Sequence, residues 1–425
     1  MIKKKTLITL LIFFAFTNFY SFSQEVKYLQ QVGIADSIYS EVLKESRTFY
    51  VEYPIGFNEE DDKKYPVAYI LDGELLLPTV QNVQNYYSGG YTPEMILIGI
   101  DNAINRTRDL TTSEVVEMYG MPATETTGGA SKFLAFIKSE LIPFVEEKYP
   151  VTDYRTLIGH SYGGLFTVHT LLNDSNLFKN YLAIDPSLEW DNQQVIKEAA
   201  AKISETSFDN ESVFISLSGQ LHMQKTDVTI EDVTIENVMN DTTDFTLFSR
   251  SIISFSDLLK NNKQIKTEFK FYPNDLHGTI PLPSIMDGLI SCFEWYQMEN
   301  IEKFNSPSTK EKELRNIIRY RAEKLGNHFG YKVPPYPEEL LNVLGYMSMD
   351  MEQFSKAKMF FEFAIEFYPK SPNTYDSMAD YYERNNVLGM ALQNVERANE
   401  LSPSTYYAER ILSLKQRISE KKKSK

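Results

Sequence analysis

The residues best suited to do chemistry are Gly159-His160-Ser161-Tyr162-Gly163, which have the spacing G-x-S-x-G. A short apolar run, residues 156–158, precedes them, and a helical pattern, residues 165–172, follows. Strand, tight turn and helix form the setting that holds such a serine exposed at a sheet edge as a nucleophile. The glycines remove side chains where the turn crowds strand against helix, and Gly164 extends that clearance. The helix also directs its positive end toward the hydroxyl. The implied chemistry is attack of a serine oxygen on an acyl carbonyl. The bland alternative is a serine in a glycine-rich turn.

A neutral hydroxyl is a weak nucleophile and needs a base. His160 and His169 lie on the turn or its helix, and His328 lies far along the chain. His277 follows a strand-like run, residues 267–272, in the loop Pro273-Asn-Asp-Leu-His-Gly278. The chain order expected around such a turn is serine, acid, histidine. The acid is expected after the apolar run 213–217, where Asp227 is the first carboxylate and Glu231 and Asp232 follow. An imidazole oriented by a backbone carbonyl or a different carboxylate is the open alternative. Two N–H donors must also face the developing oxyanion. Tyr162 supplies one, and Gly73 or Glu74, after the run 65–71, supplies the other.

These residues need a scaffold of alternating elements. Residues 49–53, 65–71, 94–100, 156–158, 213–217 and 267–272 read as strands. Residues 129–147 read as an amphipathic helix, with Phe133, Phe136, Ile137, Leu141 and Phe144 at helical spacing. Strands interleaved with helices predict a mostly parallel sheet covered on both faces, an α/β-hydrolase core over residues 24–300. Such sheets bind ligands beyond the carboxyl ends of their strands.

After residue 300 the pattern changes. Gly345, Ala357, Ala364 and Pro369 recur as Ala379, Ala391, Ala398 and Pro403, each pair 34 residues apart. That is the tetratricopeptide period. It predicts a small all-α tetratricopeptide-like domain of two repeats over 336–408, a linker and packing helix over 301–335, and a helix end with basic tail over 409–425. The repeats offer a possible surface for a protein partner.

Lys3-Lys-Lys5, the apolar stretch 6–20 and Ser21-Phe22-Ser23 read as a signal peptide, residues 1–23, cleaved before Gln24. The mature chain is then periplasmic or secreted, with no membrane span after cleavage. The alternative is an uncleaved anchor. The net charge of −15 argues against nucleic acid as a partner. Cys292, the single cysteine, lies in an apolar helical run and reads as a buried, inert thiol. There is no H-E-x-x-H, Cys-rich spacing, P-loop or dinucleotide fingerprint, so neither a metal nor a cofactor is expected.

Several segments together resemble the esterase D-like group of serine esterases, which includes enterochelin (siderophore) esterases. They are Tyr65-Pro-Val-Ala-Tyr-Ile-Leu-Asp-Gly73, Ile100-Asp-Asn102 with Arg106 and Arg108-Asp-Leu110, Phe133-Leu-Ala-Phe-Ile137 with Glu140-Leu-Ile-Pro-Phe144, Arg155 to Leu165, and Asp185-Pro-Ser-Leu188. The resemblance implies Ser161 as nucleophile, His277 as base and the segment Asp72 to Glu74 at the oxyanion site. It implies that Asp185 to Trp190 border the substrate pocket. Asp72, Arg106 and Trp190 are candidate pocket residues; Arg106 and Arg108 either hold an anionic acyl group or make structural salt bridges. The family often carries a carboxylate near the position of His222, which differs here. The expectation is an exported serine carboxylic ester hydrolase acting on siderophore-like or other acyl esters. The alternative is a non-catalytic scaffold that works through its repeats.

Overall fold

The computed structural model describes residues 31–59, 63–118, 121–221 and 234–423. Its centre is an eight-stranded sheet: β1 (Ile34–Ser40), β2 (Glu45–Glu52), β3 (Tyr65–Ile70), β4 (Ile96–Ile100), β5 (Val151–His160), β6 (Asn180–Ile184), β7 (Ser212–Ser218) and β8 (Lys266–Tyr272). The spatial order is β1-β2-β4-β3-β5-β6-β7-β8. The first two strands pair antiparallel, β2 also meets β4 antiparallel, and the remaining neighbours run parallel. Strands β3, β4, β6 and β7 are buried along their whole length. Their near-continuous apolar sequence is what burial on both faces demands.

Helices cover the sheet. On one side lie the helical segment 130–148, α2 (Tyr162–Asn173), α3 (Trp190–Glu205) and α4 (Leu247–Lys260), packed through Phe133, Phe166, Val195 and Ile252. On the other lie α1 (Gly73–Tyr87) and α5 (Pro281–Cys292), packed through Leu77, Val80, Ile285 and Leu289. Segment 130–148 runs as one helix with a π turn at Ile137–Leu141. Cys292 is buried in α5, and burial pushes its thiol up to about 12.

Two sheet strands, β1 and β6, lie outside the strands expected from periodicity, and β5 is longer than the apolar run 156–158 that marked it.

The C-terminal region is helical. It comprises α6 (Glu311–Phe329), α7 (Glu338–Asp350), α8 (Phe354–Phe367), α9 (Pro372–Arg384), α10 (Leu388–Leu401) and α11 (Thr405–Lys423). Helices α7 and α9 start 34 residues apart, as do α8 and α10. The offset reappears in contacts: Tyr346 donates to Asp380, and Arg384 pairs with Asp350. Gly345 sits where a Cβ would come within 2.5 Å of Phe361, so the helices of a pair pack closely. Helix α6 joins the two regions. Leu325 and Phe329 enter the core that α1 and α5 form against the sheet, while Leu314 and Ile318 enter the helical core. Arg321 donates to the carbonyls of Tyr296, Gln297 and Pro335.

Candidate active site

The parallel strands bring distant residues together at their carboxyl ends. Asp72 follows β3, Asn102 follows β4, Ser161 follows β5, Asp185 follows β6, Gln220 follows β7 and His277 follows β8.

Ser161 occupies the turn between β5 and α2 with φ 60° and ψ −117°. That is a strained backbone for a residue with a side chain, and such strain concentrates at functional sites. The glycines make the turn possible: a Cβ on Gly159 would lie 2.2 Å from the Gly163 carbonyl oxygen. The Ser161 N–H donates to the Ile184 carbonyl, and its own carbonyl accepts from the Ser187 N–H at 3.1 Å. The Ser161 backbone is therefore tied to the loop that follows β6. The two hydroxyls, Ser161 Oγ and Ser187 Oγ, stand 3.4 Å apart.

Asp185 opens that loop. It is fully buried, with φ 42°. Its Oδ1 accepts from the Ser218 N–H at 2.8 Å, and its Oδ2 lies 2.7 Å from His277 Nδ1. A buried carboxylate on Nδ1 makes that nitrogen the donor and leaves Nε2 as the basic one. The His277 loop is held from below: Gly219 N–H donates to the Asp275 carbonyl, and His277 N–H donates to Gln220 Oε1 at 3.3 Å. The His160 ring packs on the His277 ring at 4.6 Å and its Nε2 meets the His277 carbonyl at 2.9 Å. Burial, reinforced by neighbouring His277, lowers His160 to about 4, so it stays a neutral donor.

The carboxylate on His277 is thus Asp185, from the end of β6. Asp227, the acid expected from the sequence, lies outside the described residues, as do His222, Glu231 and Asp232. Asp185 satisfies the expected order of serine, acid and histidine, and that order was the available signal. Periodicity alone does not mark β6, so the sequence does not place Asp185 at a strand end.

The other predicted residues fall around this constellation. Gly73 and Glu74 begin α1, and Tyr162 begins α2, so their N–H groups lie at positive helix ends. A Cβ on Gly73 would approach the Gly99 carbonyl carbon to 2.2 Å, so only glycine permits this backbone contact. Asp72 is buried and pairs with Arg106 through both oxygens, at 2.8 and 2.9 Å. Arg106 also donates to the His160 carbonyl and stacks on Tyr162. Arg108 pairs with Glu45 and Asp109. Both arginines are thus engaged within the protein. Trp190 is buried, meets the Tyr162 ring edge-on at 5.3 Å and donates to Ser113. It lines a cavity of about 480 Å³ together with Glu114, Val115, Glu117, Glu189 and Asp191.

Residues 40–222 match the esterase family model described as "Putative esterase". The siderophore enterobactin esterase of Emericella nidulans is 28% identical over 263 residues, 56% of this chain and 87% of that protein. The ferri-bacillibactin esterase BesA of Bacillus subtilis is 29% identical over 41% of this chain and 65% of that protein. Among solved structures, the IroE-like serine hydrolase from Shewanella oneidensis superposes with a TM-score of 0.62 at 24% identity, covering 79% of this chain and 99% of that one. A protein from Capnocytophaga ochracea superposes with a TM-score of 0.56 at 18% identity, covering 90% of this chain and 99% of that one. These two structural likenesses establish the fold. In sequence the hydrolase part of the chain is similar to siderophore esterases, and its fold is that of the IroE-like serine hydrolase.

Proposed function

We propose that the protein is a serine carboxylic ester hydrolase working through Ser161, His277 and Asp185. The observation that carries this reading is the 2.7 Å contact of buried Asp185 with His277 Nδ1, beside a serine on a strained strand-to-helix turn. His277 Nε2 takes the Ser161 proton as the hydroxyl oxygen attacks the ester carbonyl. Asp185 holds the imidazole tautomer and stabilises the imidazolium. The carbonyl oxygen becomes an oxyanion facing the N–H groups of Tyr162 and of Gly73 or Glu74. The imidazolium protonates the departing alcohol, and water then releases the acid from Ser161 by the same steps in reverse.

Siderophore esters are the substrate class suggested by the names of the relatives. An exported protein is the reading supported by the N-terminal sequence, whose residues 1–30 lie outside the described set. No helix among the described residues is long and apolar enough to cross a membrane. A partner for the helical region remains part of the same proposal.

The test is an ester panel, short aryl esters beside a cyclic triscatechol triester in ferric and metal-free forms, run on wild type, Ser161→Ala and His277→Ala. Wild type should turn over at least one ester and take a fluorophosphonate label at Ser161; both variants should lose turnover. Folded wild-type protein that neither labels nor hydrolyses any member would refute the enzyme reading. Turnover of aryl esters with the triscatechol ester untouched would remove the siderophore assignment alone.

A further inference from the structure

The N–H groups assigned to the oxyanion sit on two strand-end turns, residues 72–74 after β3 and residues 160–162 after β5. The two strands are parallel neighbours, and their ladder ends where the Leu71 N–H donates to the Ile158 carbonyl at 2.9 Å. Beyond that bond, no backbone hydrogen bond joins the two turns among the described residues. Their separation still has to be right, because both donors must lie about 2.7–3.1 Å from one oxygen atom.

One side chain spans the gap. Arg106 begins a short helical segment, Arg106–Leu110, after β4. Its Nε and Nη2 donate to the two carboxylate oxygens of Asp72 at 2.8 and 2.9 Å. The same Nη2 donates to the His160 carbonyl at 3.3 Å, and the guanidinium lies 5.4 Å from the centre of the Tyr162 ring. One planar group thus holds the residue before Gly73 and the residues on either side of Ser161. The root of the arginine is itself fixed: Asp109, in the same segment, pairs with buried Arg47, and Arg108 pairs with Glu45. Asn102 completes the hold on the first turn. Its Oδ1 accepts from the Asp72 N–H at 3.1 Å, and its own N–H donates to Glu74 Oε2 at 3.3 Å, so it ties both neighbours of Gly73. Asp72 needs such support. It is buried and has a left-handed backbone, φ 51° and ψ 46°, which a residue with a side chain keeps only where its surroundings hold it.

We propose that Arg106 is a positioning residue for the oxyanion site: by bridging the Asp72 and His160 turns, it sets the distance between the N–H of Gly73 or Glu74 and that of Tyr162. The inference rests on the esterase reading above and adds to it a residue that acts through the backbone rather than on the ester. Lysine would keep the charge and lose the function. An ammonium is a point charge on a flexible stem and lacks the fixed fork that grips both Asp72 oxygens while reaching a carbonyl. Asp72→Asn loosens the same brace from the other side by removing one acceptor, and asparagine tolerates the left-handed backbone. The full oxyanion exists only once the carbonyl has been attacked, so a loosened brace lowers kcat and leaves KM in place.

The experiment uses the full chain as wild type, Arg106→Lys, Asp72→Asn and the double variant, with melting curves for each. It measures kcat and KM on a short aryl ester and the affinity of an aryl trifluoromethyl ketone. Ser161 Oγ adds to the ketone carbon, the proton passes to His277, and the carbonyl electron pair settles on the oxygen, so the adduct presents an oxyanion without turnover. Each single variant should lose roughly 10- to 100-fold in kcat, with KM within about twofold, as expected for a donor misplaced by up to about 1 Å. Ketone affinity should weaken by the same factor as kcat/KM. The double variant should lose no more than the worse single one, because the two side chains act as a unit. A folded Arg106→Lys protein with wild-type kcat and ketone affinity, or with its loss confined to KM, would overturn the proposal and leave the esterase intact. Asp72→Asn carries the same test if Arg106→Lys fails to fold. Losses that multiply in the double variant would also overturn it. Wild-type protein inert toward both ester and ketone would bring down the esterase reading as well.

Discussion

Asp185→Asn isolates the role of the acid, and the surroundings of the side chain dictate what it should do. The carboxylate has two fixed partners: the Ser218 N–H on Oδ1 and His277 Nδ1 on Oδ2. Asparagine keeps the size but has one acceptor and one donor end. The Ser218 N–H is buried and must be accepted, so the Asn oxygen stays there and the amide NH₂ turns to His277. Nδ1 then has to accept, which places the ring proton on Nε2. That nitrogen can no longer take the Ser161 proton. Wrong-tautomer variants of serine triads lose about 10,000-fold in kcat, equal to about 5 kcal/mol of transition-state stabilisation. The assay is kcat/KM on a short aryl ester for wild type, Asp185→Asn, Asp185→Ala and Ser161→Ala, with melting curves to verify folding. A loss near 10,000-fold for Asp185→Asn, at unchanged melting temperature, is expected. A folded Asp185→Asn protein within about tenfold of wild type would refute the reasoning and return the acid to a residue in the segment 222–233.

Further outcomes follow from other contacts. Arg106→Met leaves the buried Asp72 carboxylate unpaired, so stability should fall by about 3 kcal/mol in chemical denaturation; if Arg106 instead holds a substrate anion, KM for carboxylate-bearing esters would rise with stability unmoved. Cutting the chain after residue 305 removes Leu325, Phe329 and the Arg321 hydrogen bonds from the hydrolase core. That truncation should melt well below one ending at residue 335, which keeps α6; equal melting temperatures would contradict the packing. Glu189 also governs stability. Burial raises its pKa to about 7, so the folded state holds a proton that the unfolded state releases, and stability falls as pH climbs from about 4.5 through about 7. Glu189→Gln should match wild type in melting at pH 5 and exceed it at pH 8, by roughly 3 kcal/mol at most; identical behaviour at both values would rule out a buried, proton-holding carboxyl.

Local chemistry was legible in the sequence of this chain. Gly159 is required by its contact with the Gly163 carbonyl four residues on, so the turn can be read from local sequence. The buried strands β3, β4 and β7 carry apolar runs that only a doubly covered sheet tolerates. The 34-residue offset of the C-terminal helices is likewise written into small residues at fixed spacing. What the tertiary structure decided was the partner of His277. Asp185 lies 92 positions from that histidine, at the end of a different strand. Its role comes from the order in which strands sit in the sheet, and strand order depends on long-range pairing that no local pattern encodes. The same holds for the acidic cavity. Glu114 and Glu189 are ordinary charges in sequence, and only folding places them around one cavity with Trp190.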